Sequence, residues 1–273
     1  MNMLFEESNL TPPLIIIRSG EVTVYNSGRD IEELITDYDA LKRSNAFVIY
    51  DPDGSLWNNH AMRFSRYGYI LKSLNLSNLE FSSRYNPMMN FYGESGGYKF
   101  ATALINGTKG LGKPRDVNFA FHELMLLNAL ISYIYCEVPQ LEWKMESLIE
   151  MLNHMIIEDY EDGFKSAIDV IFYELGQKEP CHSSVRLYAE FKDAAGNDKQ
   201  AMKIATSCIK RVSSFNTPEM LSFMYRDDLW LESLPKGKTA LFVQDGDAHE
   251  DIKLLVPLMY SQFFEFKHRT RFN

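Results

Sequence analysis

The segment that most constrains the fold of this chain is the run AFVIYDPDGS at residues 46–55. Five apolar or β-branched residues in succession are typical of a buried strand. The proline at the seventh position of the run cannot donate a hydrogen bond to a sheet, so we predict that the strand ends at Tyr50 or Asp51. The run therefore indicates a strand that stops abruptly at a polar turn.

A helix is predicted directly after this turn, over residues 56–67, with Ser55 or Asp53 as its cap. A strand, a tight turn and a helix in this order indicate an α/β layer with a parallel sheet. Asp51 then lies at the carboxyl edge of the sheet, where open α/β proteins bind their ligands. The alternative is an ordinary α/β turn without a ligand.

The rest of the chain divides by hydrophobic pattern into strand-rich and helix-rich parts. Further strands are predicted at 14–17, 21–25, 69–75 and 238–245. Helical spacing predicts helices at 30–43, 117–137, 141–157, 164–177, 182–195, 198–215, from 218 onward, and at 252–266. Residues 76–116 are rich in glycine and are predicted to form a long connector with one short apolar element at 100–105. We therefore predict an α/β fold with a discontinuous α/β layer, 1–115 plus 237–273, and an all-helical domain at 116–236.

The composition indicates an acidic protein of a reducing compartment. The 273 residues carry a net charge of −9, which argues against a surface built mainly to cradle nucleic acid. The three cysteines are odd in number and scattered, so neither a disulfide framework nor a metal motif follows from them. The N-terminus has acidic residues where a signal peptide has basic ones. The apolar run LMLLNALISYIYC is too short to span a bilayer, so we predict a buried core helix and no transmembrane segment.

Two loops carry residues that are suited to bind phosphate or metal. The loop GTKGLGKP at 107–114 matches G-x-x-x-x-G-K, which makes Gly107, Gly112 and Lys113 candidates for nucleotide binding. A proline stands where the magnesium-binding hydroxyl belongs, and the alternative is a flexible linker. Asp51 and Asp53 are the other candidates for a nucleotide site.

The loop DGDAHED could hold a divalent cation through Asp245, Asp247 and His249. The alternative is a solvated loop that precedes the acidic start of a helix. In the most apolar helix, no second histidine follows His122 at zinc-binding spacing, so we predict that His122 is a core residue.

Several strings in the same order resemble the type IV coupling proteins, the TraG-type ATPases of conjugation and type IV secretion. The matching strings are Asp51-Pro52-Asp53-Gly54-Ser55, Tyr85-Asn86-Pro87-Met88, LMLLNALISYIYCEVP, NDKQAMKIATSCIKRVSSFNTPEM and KTALFV. The resemblance covers most of residues 46–266. It implies a RecA-like nucleotide-binding layer with an inserted all-α domain that faces the cytoplasm and cargo.

The sequence departs from that family at the residues that would handle ATP. No Gly-Lys-Ser/Thr stands between the first predicted strand and the strand at 46–50. The family's lysine and glutamate after Asp-Pro are replaced by Asp53 and Ser55. The family's terminal Asp-Glu motif and its membrane helices are absent from this sequence. These departures suggest a reduced or truncated relative without ATP turnover.

The resemblance and its departures together predict a non-catalytic coupling-protein-like component that docks a transfer substrate or a partner protein, with no cofactor. The alternative is an ATPase of DNA transfer that uses Mg-ATP at an atypical or oligomer-completed site. The expected partners are a relaxase, a secreted substrate or a full-length coupling ATPase. A partial sheet leaves edges to be covered, so a homodimer is also expected, whereas the net charge does not favour DNA. The expected location is the cytoplasm, at the inner face of the membrane through partners.

Overall fold

The computed structural model describes residues 12–19, 21–25, 31–91, 93–112, 116–157 and 165–270. It has an α/β architecture with one mixed five-stranded sheet and many helices. The chain divides into two compact units, residues 1–85 with 226–273, and residues 86–225.

The described strands and α-helices follow one another along the chain, with short 3-10 turns between some of them. The strands are β1 Leu14–Arg18, β2 Glu21–Tyr25, β3 Ala46–Tyr50, β4 Ile70–Asn75 and β5 Thr239–Gln244. The helices are α1 Ile31–Thr36, α2 Tyr38–Arg43, α3 Ser55–Arg66, α4 Gly93–Gly107, α5 Val117–Glu137, α6 Met145–Asn153, α7 Ala167–Lys178, α8 Ser183–Ala195, α9 Asp198–Arg211, α10 Pro218–Met224, α11 Glu250–Lys253 and α12 Leu255–Thr270.

The sheet has the strand order β2-β1-β3-β5-β4. β1 pairs antiparallel with both β2 and β3, whereas β3, β5 and β4 run parallel to one another. The predicted parallel sheet is therefore correct for three strands, and the hairpin β1–β2 makes the whole sheet mixed. β5 lies between β3 and β4 although it comes last in the sequence.

One face of the sheet is covered by α1, α2 and α3 through an aromatic core. Phe47 of β3 meets Phe64 of α3 with their ring centroids 5.1 Å apart, and Phe242 of β5 meets Trp57 at 5.2 Å, both edge to face. Edge-to-face pairs add about 0.5–1.5 kcal/mol to the stabilisation from burial. The apolar run of β3 was predictable as a buried strand because its two faces are both covered, and four of its five residues are buried.

The predicted helix at 30–43 is interrupted. It forms two short helices, because the Asp37 side chain accepts the N–H groups of Asp39 and Ala40 and so begins α2 as a new helix. Aspartate is one of the residues that compete for backbone donors in this way, which favours a helix start over a helix interior.

The predicted connector at 76–116 is wrong in its central part, where the 15-residue helix α4 forms. Two of the four glycines of α4 lie at close packing contacts. A Cβ on Gly96 would lie 3.0 Å from the Phe91 backbone, and one on Gly97 would lie 3.0 Å from the Ile131 side chain of α5. Close packing at these two positions thus favours glycine, although glycine has a poor helix propensity.

Every described element in residues 86–225 is helical. The predicted domain boundaries at 115/116 and 236/237 differ from the unit boundaries at 85/86 and 225/226. The difference at the first boundary arises because α4 packs against α5 within the second unit.

Among the described helices, α5 is the one that is long and apolar enough to cross a membrane by length and composition. Half of its most apolar window is buried inside the protein. The core helix of a folded unit passes the same test, and the predicted bounds of this helix, 117–137, are those of the structure.

Candidate functional site

The candidate site is the carboxyl edge of the parallel strands β3, β5 and β4. Buried polar side chains gather there, above strands of which β3 and the centre of β5 are apolar. They are Asp51 after β3, Ser73 in β4, and Gln244 and Asp245 at the end of β5. The helix after β3 packs on the Phe47 face of the sheet. This edge is the part of an α/β sheet that most often carries function.

Asp51 is almost fully buried and closes the N-terminus of α3. One carboxylate oxygen accepts the Leu56 N–H at 2.9 Å, and the other accepts the Trp57 N–H at 2.8 Å. The first N–H groups of a helix have no partner inside the helix, and a phosphate would need the same groups. In this protein the Asp51 carboxylate occupies the anion-binding position of α3.

Asp53 supports the same turn from the solvent side. Its carboxylate accepts both the backbone N–H and the hydroxyl of Ser55, at 3.1 and 2.8 Å. These bonds lower the pKa of the Asp53 carboxyl. Gly54 between them has a φ of 75°, a left-handed conformation that glycine adopts without strain. Asp53 and Ser55 were predicted as alternative caps. In the structure Gly54 is the N-cap residue and Ser55 is the first residue of α3, and Asp53 and Ser55 bond to each other.

Gln244 connects the ends of the three parallel strands. Its amide nitrogen lies 3.4 Å from an Asp51 carboxylate oxygen, and its amide oxygen lies 3.5 Å from the Ser73 hydroxyl. Both distances are long for hydrogen bonds, so these contacts orient the amide more than they stabilise it. Neither Gln244 nor Ser73 was predicted as a site residue. Gln244 ends the apolar run of β5, whereas Ser73 lies in a strand that also contains Lys72 and Asn75 and so does not stand out.

The loops after β3 and β5 are joined directly. The Gly246 N–H donates to the Pro52 carbonyl at 3.0 Å, and a Cβ on Gly246 would lie only 2.7 Å from that carbonyl oxygen. The two loops therefore close over the crevice in which ligands usually bind.

Asp245 forms a second polar contact beside this crevice. Its carboxylate accepts the Tyr50 hydroxyl at 2.9 Å. Burial raises the pKa of Asp245, against the Tyr50 hydrogen bond, which lowers it. Burial, followed by the bond to Asp245, raises the pKa of the Tyr50 phenol above its usual range. Tyr50 was expected only as the last residue of the strand, and nothing in the local sequence signals its partner 195 residues away.

The predicted metal ligands in DGDAHED make different contacts: the Asp245 carboxylate bonds to Tyr50 and His249 caps α11, whereas Asp247 is held through its backbone. The Asp247 N–H donates to the Ser77 hydroxyl at 3.1 Å, while His249 accepts the Asp251 N–H through Nδ1 at 3.3 Å and so caps α11. Within the described ranges, no group of three His, Cys, Asp or Glu side chains could hold a metal ion.

The predicted phosphate loop at 107–114 follows the helix α4, whereas a phosphate loop follows a strand. Its described part is bound to helices of the second unit. The Leu111 N–H donates to the Ser207 hydroxyl at 2.5 Å, so this donor is already occupied. Gly107 ends α4, Gly112 packs against Phe119, and Lys113 lies outside the described residues.

The described part of this loop lies over a buried ion pair of α5 and α9. Arg211 donates to Glu123 at 2.6 Å and to the Ile105 carbonyl at 3.0 Å. Gly110 has no room for a side chain, because a Cβ would overlap Glu123 and Ser207. His122, predicted as a core residue, is only partly buried, and the neighbouring Glu123 is buried in its place.

The second family-like motif also has a structural explanation. The Asn86 side chain accepts the Met88 N–H at 3.0 Å and donates to the Trp143 carbonyl at 2.8 Å. Pro87 begins the 3-10 turn that Asn86 caps. Both residues thus fix the start of the second unit.

A small pocket with room for about one water molecule lies in the second unit beside α7, α8 and α9. Its central cation, Lys192, is shared between Asp169 at 2.8 Å and Asp198 at 2.5 Å. Hydrogen bonds from Lys192 and Ser166 lower the pKa of Asp169, although burial alone would raise it. Lys165 also lies 3.6 Å from Asp198, so two lysines balance the two carboxylates at this pocket.

A scan against protein-family models and a search of the curated proteins find no match to this chain. The likeness to coupling proteins accordingly depends on the sequence strings alone.

Proposed function

We propose that this protein is a non-catalytic component of conjugative transfer or type IV secretion, similar to a coupling protein, which docks a partner protein or transfer substrate. In this proposal the mixed sheet is a partial RecA-like layer, and residues 86–225 correspond to the inserted all-α domain. The protein acts in the cytoplasm, at the inner face of the membrane, through partners such as a relaxase or a coupling ATPase.

The observation that carries the proposal is the occupation of the α3 N-terminus by Asp51. A RecA-like ATPase needs free backbone donors at the carboxyl edge of its sheet to hold phosphate. Here both Asp51 carboxylate oxygens accept hydrogen bonds from such donors. Three more carboxylates come just after the same strands, Asp53 after β3 and Asp245 and Asp247 after β5. Their charge opposes a phosphate chain at this edge, and no Gly-Lys-Ser/Thr stands between β1 and β3, where the family carries its phosphate loop. Both observations support a docking role over ATP turnover.

Calorimetric titration of the whole protein with Mg-ATP tests this proposal. We expect no heat of binding up to millimolar nucleotide. Binding at micromolar nucleotide would overturn the proposal. If Lys113→Ala abolished this binding, the nucleotide site would be assigned to the 107–114 loop. If nucleotide bound only at high protein concentration, the site would be one that is completed in an oligomer.

Binding of the purified protein to a relaxase and to a full-length coupling ATPase, measured by biolayer interferometry, tests the docking role. We expect saturable binding to at least one of them. If neither binds, with or without the other present, the assignment to a transfer machine fails.

A further inference from the structure

The outward face of α9 carries a row of lysines. Lys199, Lys203 and Lys210 are exposed, with Thr206 between them, and they recur at the three- and four-residue spacing of one helix face. The opposite face is buried and includes Ile204, Ala205, Cys208 and Arg211. We call these three lysines the α9 lysine face.

The α9 lysine face is locally basic within an acidic protein. No aspartate or glutamate occurs from Lys199 to Thr217, although the whole chain has a net charge of −9. In the part of the chain that the structure describes, no carboxylate pairs with any of the three lysines. Lys203 lies 5.9 Å from the centre of the Phe119 ring, a contact that keeps its charge. This positive charge is therefore not neutralised within the described structure.

Apolar side chains border the α9 lysine face on both sides. Met202 and Ile209 are partly exposed on one flank of the helix. On the other flank, Leu111 is 48% exposed, and the hydrogen bond from its N–H to the Ser207 hydroxyl holds it beside α9. The exposed Lys109 precedes Leu111 in the same loop and adds a fourth positive charge.

We propose that the α9 lysine face docks an acidic amphipathic helix of a partner protein, an inference that rests on the docking role proposed above. Acidic side chains would face the lysines, and the apolar side of the partner helix would contact Leu111, Met202 or Ile209. The three lysines span about 16 Å along α9, which matches about three turns of a partner helix.

The composition of the face favours a protein partner over other polyanions. Single-stranded nucleic acid is bound with exposed aromatic rings on which bases stack, whereas α9 itself has no aromatic residue and Phe119 beside Lys203 is only partly exposed. Binding to a membrane surface needs several apolar side chains that project into the lipid, whereas Met202 and Ile209 are partly buried and Leu111 is about half exposed.

The test measures binding of the whole protein to a synthetic amphipathic helical peptide of about 18 residues with glutamate on one face and leucine on the other. The triple variant Lys199→Gln, Lys203→Gln, Lys210→Gln is compared with the matched control Lys42→Gln, Lys178→Gln, Lys236→Gln, which removes three exposed lysines elsewhere. Glutamine has a similar helix propensity, so circular dichroism should show both variants folded.

We expect the dissociation constant for the peptide, measured by fluorescence anisotropy, to rise roughly tenfold in the triple variant and to stay unchanged in the control. Raising the salt from about 50 to about 300 mM should weaken binding in the wild type more than in the triple variant. Equal binding of a scrambled peptide, or equal loss in both variants, would overturn the proposal.

Two further probes separate this inference from its alternatives. Tighter lysine-dependent binding of an oligo-dT strand, or of vesicles containing phosphatidylserine, would overturn the assignment to a protein helix. Mg-ATP binding alongside intact lysine-dependent peptide binding would overturn the non-catalytic function and leave the α9 lysine face as a docking surface. If the protein binds neither the peptide nor Mg-ATP, the α9 lysine face is not a docking surface, and the non-catalytic function stands.

Discussion

Asp51 holds the first turn of α3 through both of its carboxylate oxygens. Replacement by alanine leaves two N–H groups without their partner at a buried position. We expect Asp51→Ala to lower the free energy of unfolding by about 2 kcal/mol, measured by urea denaturation. Asp51→Asn should cost less, since the amide oxygen can still accept one of the two bonds.

Asp53→Ala is the matched control for Asp51→Ala, because Asp53 caps the same turn from the solvent side. Its effect should be clearly smaller, since water can replace the lost acceptor. Equal losses at the two positions would contradict the structural role assigned to the buried carboxylate.

Asp245 makes stability depend on pH in the direction opposite to most carboxylates. Its pKa is raised in the folded protein, so the folded state holds the proton more tightly than the unfolded state does. The resulting stabilisation is full below the ordinary pKa of 3.8 and is lost as the pH rises through the raised pKa. Asp245→Asn has no such proton, and its neutral amide can still accept the Tyr50 hydroxyl.

The free energy of unfolding of Asp245→Asn relative to wild type should therefore increase as the pH rises from below 3.8 to neutrality. Denaturant unfolding at several pH values measures this difference and cancels the contributions of the other carboxylates. A difference that is flat or that falls with pH would show that the Asp245 pKa is not raised.

At the scale of elements, the loops after β3 and β5 are joined through Gly246. A methyl group there would lie 2.7 Å from the Pro52 carbonyl oxygen, so the loops would have to separate. We expect Gly246→Ala to lower the free energy of unfolding by about 1–3 kcal/mol in thermal or urea denaturation.

Gly237→Ala offers a control next to the same strand. Its backbone is extended, and no atom lies within 4 Å of the added methyl group. This change should be neutral or slightly stabilising. Equal destabilisation by both changes would indicate a general intolerance of the β5 region rather than contact between the two loops.

The elements that the sequence could predict are those whose signal is local. The strands β3 and β5 are continuous apolar runs, and α5 is a long apolar helix that ends before Pro139. α4 could not be predicted from its glycines, because Gly97 packs against Ile131 of α5, which is 34 residues away in the chain. Strand order likewise depends on pairing between distant segments, which no local pattern reports.

The candidate site was predicted in part. Asp51 lies at the carboxyl edge of β3 as expected from its position after the strand, and Asp53 and Ser55 lie in the same turn. Gln244 and the Tyr50–Asp245 contact could not be found, because each joins residues that are brought together only when β5 pairs with β3.

At the scale of the whole molecule, the two units differ in how the chain supplies them. Residues 86–225 form one continuous segment with its own buried core, whereas the sheet of the other unit needs β5 from the end of the chain. We expect the segment 86–225, produced alone, to show a helical circular dichroism spectrum and one cooperative thermal transition.

The segment 1–85 provides the contrast. It contains β3 and β4 but lacks β5, the strand that pairs with both. Alone it should not unfold cooperatively, whereas a chain that joins 1–85 to 226–273 through a flexible linker should. A cooperative transition for 1–85 by itself would contradict the central role of β5.

The position of β5 in the sequence also determines when the sheet can be completed during synthesis on the ribosome. β3 and β4 emerge early, but the strand that belongs between them is made only after the whole of residues 86–225. At ordinary translation rates, roughly 10 to 30 seconds separate Asn75 from Thr239. During that interval the nascent chain exposes the apolar strand β3 and the edge of β4 without their shared neighbour, so chaperone capture of the early segment should govern the yield of folded protein.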